Sequence, residues 1–112
     1  MSYKLMIYIA SPYTGTDLKQ SVSTQIDVLH EIMDKGHFAY APLLMHYAEL
    51  VRPRPYHDWI EHCLDMVLRC DVLLRLSGSS YGAELEERKA RVGRIPVITY
   101  EELFPYLNKQ NS

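Results

Sequence analysis

Three of the fourteen carboxylates in this 112-residue chain crowd the segment from Gly82 to Arg91, and one of them lacks a basic partner at the usual helical spacing. Glu84 has Arg88 and Glu87 has Arg91 four residues on, the arrangement of ordinary surface ion pairs, whereas Glu86 has Ala90. At about 100° per residue, Ala83, Glu86 and Ala90 share a face, so Glu86 projects between two small side chains in the first two turns of a helix. A carboxylate there is expected to be kept ionised by the helix N-terminus, with room for a ligand beside it. The alternative is a pair with Lys89 on a solvated face.

Hydroxyls and glycines gather in two further stretches. Ser11, Tyr13, Thr14, Gly15 and Thr16 fall in one, and Ser77, Gly78, Ser79, Ser80 and Gly82 in the other. Each precedes an expected helix, whose free N–H groups favour an anion; ordinary turn composition is the other reading. Neither stretch carries the G-x-x-x-x-G-K-[ST] or G-x-G-x-x-G pattern, so no P-loop or dinucleotide site is expected. His57 and His62 are five apart and no third ligand has a recognisable spacing, so neither a metal nor a cofactor is expected.

The elements that must position these groups alternate. Leu5–Ile9 reads as a strand ended by Ser11-Pro12. From Asp17 to Lys35, Leu18, Val22, Ile26, Leu29 and Met33 recur with helical spacing, Asp17 caps the start and Gly36 suits the left-handed position beyond the end. Phe38–Ala41 is a second strand, stopped by Pro42, and Leu43–Leu50 has the character of a short helix. Tyr56–Cys70 is helical with two adjoining apolar stripes, one of them Trp59, Cys63, Met66 and Cys70, wide enough to predict a largely buried helix with Trp59 and Cys63 as core. Asp71–Leu76, the helix Gly82–Arg91 closed by Gly93-Arg94, the strand Ile95–Thr99 and a last short helix Glu101–Leu107 complete the order. Strands alternating with helices predict a single α/β domain over residues 1–112, with a small parallel sheet of four to five strands between two helical layers. In such sheets ligands sit beyond the carboxyl ends of the strands, which selects the loops 11–16, 42–55 and 77–82.

Composition narrows the partners. Twelve Lys plus Arg against fourteen Asp plus Glu, a net charge of −2 and no basic run leave no electrostatic footprint for a nucleic-acid polymer or an anionic membrane. No stretch reaches the roughly 18–20 apolar residues of a bilayer span, and the N-terminal run is too short and too weakly basic for a secretory signal. Cys63 and Cys70, seven positions apart in a helical pattern, would lie about 10 Å apart at Cα, beyond disulfide reach. Reduced cysteines and a cytoplasmic chain are the expectation.

Taken in order, Tyr8-Ile9-Ala10-Ser11-Pro12-Tyr13, Tyr40-Ala41-Pro42-Leu43-Leu44, Trp59, Cys70-Asp71, Ser80-x-Gly82-Ala83-x-x-Glu86-x-x-x-Ala90 and Gly93-x-Ile95-Pro96-Val97 resemble the nucleoside 2-deoxyribosyltransferase-like family. That family includes deoxynucleoside monophosphate N-glycosidases and uncharacterised phage and bacterial members. The resemblance implies a flavodoxin-like three-layer fold and chemistry at the N-glycosidic bond of a (deoxy)nucleoside or its 5′-monophosphate. It makes Glu86 the nucleophile that forms a covalent glycosyl intermediate, and Tyr8 the residue that orients it. It places Ser11, Pro12, Tyr13, Ser80, Gly82 and Ala83 around the sugar and its 5′ end. Ser11, Thr14 and Ser80 would line a phosphate, and His46, after the second strand, would either contact the base or make only a partly exposed polar contact.

One position departs from the family pattern. Where family members carry an aspartate eight residues before the Asp of the Cys-Asp pair, this chain has Cys63; His46, His62 or Asp58 would then supply the acid. A non-catalytic nucleotide-sensing module, or an interaction protein on the same fold, are the alternatives to an enzyme. A homodimer or larger homo-oligomer is expected, both from the family and from the limited core of so short an α/β chain.

Overall fold

The computed structural model describes residues 4–12, 18–78 and 80–110. Strands β1 (Met6–Ala10), β2 (Phe38–Tyr40), β3 (Val72–Arg75) and β4 (Val97–Ile98) form one sheet in the order β2-β1-β3-β4, with every pairing parallel. Around it lie helices α1 (Leu18–Asp34), α2 (Met45–Val51), α3 (Tyr56–Leu68), α4 (Tyr81–Val92) and α5 (Tyr100–Gln110). A 3₁₀ turn over Pro42–Leu44 leads into α2.

The apolar sequence of β1 follows from burial on both faces. Ile7 and Ile9 pack with Val72, Leu74 and Ile98 against Val28 and Ile32 of α1 and Leu103 and Leu107 of α5. The alternate residues Tyr8 and Ala10, with Leu73, face Cys63 and Val67 of α3 and Ala90 of α4. The result is a flavodoxin-like α/β/α sandwich with a four-stranded sheet. Two polar anchors fix the start of β1: Leu5 N donates to His37 Nδ1 at 3.0 Å, and Met6 N donates to Asp71 Oδ2 at 2.8 Å.

Two local expectations are corrected. On α1 the buried row is Val22, Gln25, Val28 and Ile32, while Met33 of the expected stripe is 52% exposed. The helix has two adjoining rows, and the one containing a glutamine turns inward because Gln25 finds hydrogen-bond partners there. Helix α3 is not largely buried: among its residues only Cys63 and Val67 are, since it meets the sheet along one row and borders a cavity along another. After α4 it is Arg94, at φ 61°, that adopts the left-handed conformation; Gly93 keeps a negative φ. Gly36 takes the left-handed position after α1 as expected, at φ 85°. The expected cap Asp17 lies outside the described residues.

Candidate active site

From β1 the chain crosses to one side of the sheet and from β3 to the other, so a crevice forms between the carboxyl ends of these neighbouring strands. A cavity of about 210 Å³ lies there. Ser11 borders it from the end of β1, His46 and Glu49 from α2, Trp59 and Cys63 from α3, and Ser80, Gly82, Ala83 and Glu86 from the start of α4.

Glu86 is 7% exposed, and its carboxylate accepts a hydrogen bond from the fully buried Tyr8 hydroxyl. Burial raises the Glu86 pKa to about 7, against the lowering influence of the Tyr8 hydrogen bond and of the Arg75 guanidinium. This corrects the expectation of a carboxylate simply kept ionised by its helix. Glu86 is the sixth residue of α4, and the pull of a helix terminus fades beyond the first turn, so desolvation wins. Pairing with Lys89 on a solvated face is also ruled out by this burial. Glu87 takes the basic partners instead, Arg91 at 3.0 Å and Arg75 at 3.4 Å.

Tyr8 is held protonated far above the ordinary tyrosine range, first by burial and then by the neighbouring Glu86 and Cys63. Burial likewise pushes the Cys63 thiol up, while the Tyr8 hydroxyl beside it pulls it partly back. The tyrosine hydroxyl therefore stands between a carboxyl and a thiol that stays neutral. Cys63 packs in the core layer with Tyr8 and also borders the cavity, so the expected core role holds for only part of its surface.

Ser80 caps α4, its Oγ accepting from Ala83 N at 3.4 Å. A side chain at Gly82 would meet only Tyr56 Oη at 3.9 Å and Ser80 Oγ at 4.0 Å, so packing within the protein does not demand a glycine there. Its bareness leaves the backbone at the start of α4 open to the cavity.

Of the residues expected from sequence, Ser11, His46, Ser80, Gly82, Ala83 and Glu86 border one cavity, and Tyr8 lies beneath it. Pro12 does not join them. It borders a different cavity on the α1 and α5 side, with Leu76 and Tyr100, which Ser11 at the end of β1 borders as well. Tyr13 and Thr14 lie outside the described residues. Three contributors escaped the sequence reading. Trp59 borders the cavity instead of filling core, with its Nε1 donating to Glu49. Gln25, 1% exposed, braces Ser11, and its signal was a lone glutamine in an apolar helical row. Arg75, at the end of the apolar strand Val72-Leu73-Leu74, donates through Nη2 to Gly78 O at 2.8 Å and fixes the turn leading toward Ser80.

Residues 5–99 match a domain family described as a domain of unknown function, DUF4406. No curated protein sequence matches the chain. Among solved structures, it is similar to a 2-deoxyribosyltransferase from the psychrotolerant bacterium Bacillus psychrosaccharolyticus, with a TM-score of 0.57 and 23% identity over 84% of this chain and 70% of that one. At this identity the likeness is one of fold.

Proposed function

The chain belongs to the DUF4406 family, and from its fold and its buried Tyr8–Glu86 pair we propose that it cleaves, or transfers at, the N-glycosidic bond of a (deoxy)nucleoside or its 5′-monophosphate. The observation that carries this reading is the Glu86 carboxylate, buried at a crevice of the sheet and held by a tyrosine hydroxyl. An oxygen of the ionised carboxylate bonds to C1′ as the C1′–N bond breaks. The bonding electron pair leaves with the base, which takes up a proton. Water or a second base then attacks C1′ and releases the carboxylate. This is the two-step retaining logic of a carboxylate that stabilises and traps an oxocarbenium-like centre. Tyr8 holds one carboxylate oxygen so that the other faces the cavity.

In this reading Ser11 and Ser80 donate to oxygens of the sugar or its 5′ end, Gly82 and Ala83 give the ligand access to the start of α4, and His46 contacts the base. Tyr13 and Thr14 keep the substrate-binding role that the resemblance implies, whereas Pro12, which borders the other cavity, does not. No cofactor takes part, and the substrate is a small molecule, not a nucleic-acid polymer. We expect a cytoplasmic homodimer or larger homo-oligomer; no helix among the described residues is long and apolar enough to cross a membrane.

A second reading, a nucleotide-binding module without turnover, is favoured by one observation: the neutral Cys63 thiol borders the cavity at the position where the resemblance implies an acid. Incubation with a panel of deoxynucleosides and their 5′-monophosphates, followed by chromatography for free base, separates the two. Release that is lost in Glu86→Ala supports the enzyme. Stabilisation by a nucleotide with no release supports the binding module, and full activity in Glu86→Ala removes the proposed nucleophile.

A further inference from the structure

We propose that Gln25 is a positioning residue for the cavity, whose side-chain amide sets the Ser11 hydroxyl as a hydrogen-bond donor to the ligand. The proposal rests on the cavity being a ligand site, as above, but not on any turnover there. Gln25 sits in the buried row of α1, where a leucine would meet the helical pattern without burying a polar group. Burying an amide is favourable only if its groups are paired, and three are. Oε1 accepts from Leu43 N at 3.1 Å, while Nε2 donates to Ile9 O at 3.0 Å and to Ser11 Oγ at 2.7 Å.

These partners leave the amide one orientation. Leu43 N–H can only donate and the Ile9 carbonyl can only accept, so a flipped amide would set donor against donor and acceptor against acceptor. With the NH₂ group facing Ser11, Ser11 Oγ must accept there, and its own proton is directed away from Gln25. Ser11 is 8% exposed and borders the cavity that holds Glu86, which Gln25 also lines, as well as the one that Pro12 borders. It thus presents a donor suited to a ligand oxygen, whether of a sugar or of a phosphate. The same amide ties the end of β1 to the turn after β2, so it also sets the spacing of that wall.

The test is calorimetric titration with 2′-deoxynucleosides and their 5′-monophosphates, using wild type, Gln25→Glu, Ser11→Ala and the double variant, with melting temperatures alongside. Gln25→Glu keeps the shape and the acceptor for Leu43 N, but turns a carboxylate oxygen toward both the Ile9 carbonyl, which costs stability, and Ser11, whose proton it draws away from the ligand. Gln25→Glu and Ser11→Ala should each weaken binding about tenfold, and the double variant should bind no more weakly than Ser11→Ala. Wild-type affinity in Gln25→Glu would overturn the proposal. So would losses that multiply in the double variant, the result expected from simple charge repulsion or from general loosening of the wall. If Gln25→Glu does not fold, Gln25→Leu serves in the same cycle with the same expectation. Wild type binding none of the probes removes both this proposal and the glycosidic reading, whereas binding without base release removes only the latter.

Discussion

Tyr8 of the central strand β1 and Glu86 of α4, 78 residues apart in the chain, meet as hydrogen-bond donor and acceptor between the sheet and its α3–α4 layer. The pairing gives a buried carboxyl a partner whose proton is not lost at any ordinary pH. It also links the acid to an internal strand of the sheet, since β1 pairs with strands on both sides. Such a group is held in place and remains titratable near neutrality, a combination that serves chemistry better than stability.

Tyr8→Phe removes the donor that favours the ionised form of Glu86. The Glu86 pKa should then move above about 7, its value with the tyrosine in place. A charge-assisted hydrogen bond contributes roughly 1.5–3 kcal/mol, so activity at neutral pH should fall about 10–100-fold. The rate of base release against pH checks this. Wild type should rise with pH through about 7 as Glu86, the proposed nucleophile, ionises, and Tyr8→Phe should rise later. An unshifted profile would mean that Tyr8 does not govern the carboxylate.

Glu86→Gln should abolish activity while making the folded protein more stable at alkaline pH. A carboxyl whose pKa rises on folding, here from 4.5 to about 7, favours the folded state when protonated. That contribution is fully present below about pH 4.5 and is lost as pH rises through about 7. The rise corresponds to on the order of 3 kcal/mol. Urea unfolding at pH 5 and pH 8 should show wild type losing stability between the two, and Glu86→Gln losing much less of it.

The alternation of elements was legible because each strand is a short apolar run and each helix has a 3.6-residue pattern. Glu86 was legible because it alone among its neighbours lacked a basic residue at i+4 and lay between alanines. Its ionisation state was not, since that depends on how deeply α4 packs against Tyr8 and Cys63, groups distant in sequence. Helical spacing alone could not decide which of two adjoining rows of α1 turns inward; the three partners of Gln25, drawn from Ile9, Ser11 and Leu43, decide it. Nor could it tell that Trp59 and Cys63 border a cavity, because apolar residues look alike whether they face core or ligand.

Gly78→Ala should destabilise the fold by about 2 kcal/mol or more. Gly78 has φ 118°, a conformation that side chains rarely adopt, and a Cβ there would lie 2.5 Å from Pro12 Cγ. The proline ring cannot swing aside as a flexible chain would, so either the turn after β3 or the segment after Ser11 must move. Because Ser11 borders the cavity, ligand affinity should fall along with the urea midpoint. A loss of stability with wild-type affinity would show that the contact of Gly78 with Pro12 does not set the position of Ser11.

Cys63→Asp places a second carboxyl in the cavity that holds Glu86. Two carboxyls in one poorly solvated site do not both ionise readily, so one takes up a proton at a pH where an isolated acid would not. The Arg75 guanidinium favours ionised Glu86 and is not among the groups that act on Cys63, so the introduced acid should carry that shared proton. It would then supply the departing base with the proton that a neutral thiol gives up poorly, and a general acid contributes about 10²–10⁴ in rate. Base release should therefore rise by on the order of 10²-fold, with its optimum moved to a pH at which the pair holds one proton. Chromatographic rates for wild type and Cys63→Asp across pH 5–9, with Glu86→Gln in the same background, measure it. A gain that vanishes with Glu86→Gln supports an enzyme whose rate is limited at the leaving group, whereas nucleotide binding unchanged and release still absent in Cys63→Asp would favour the binding module.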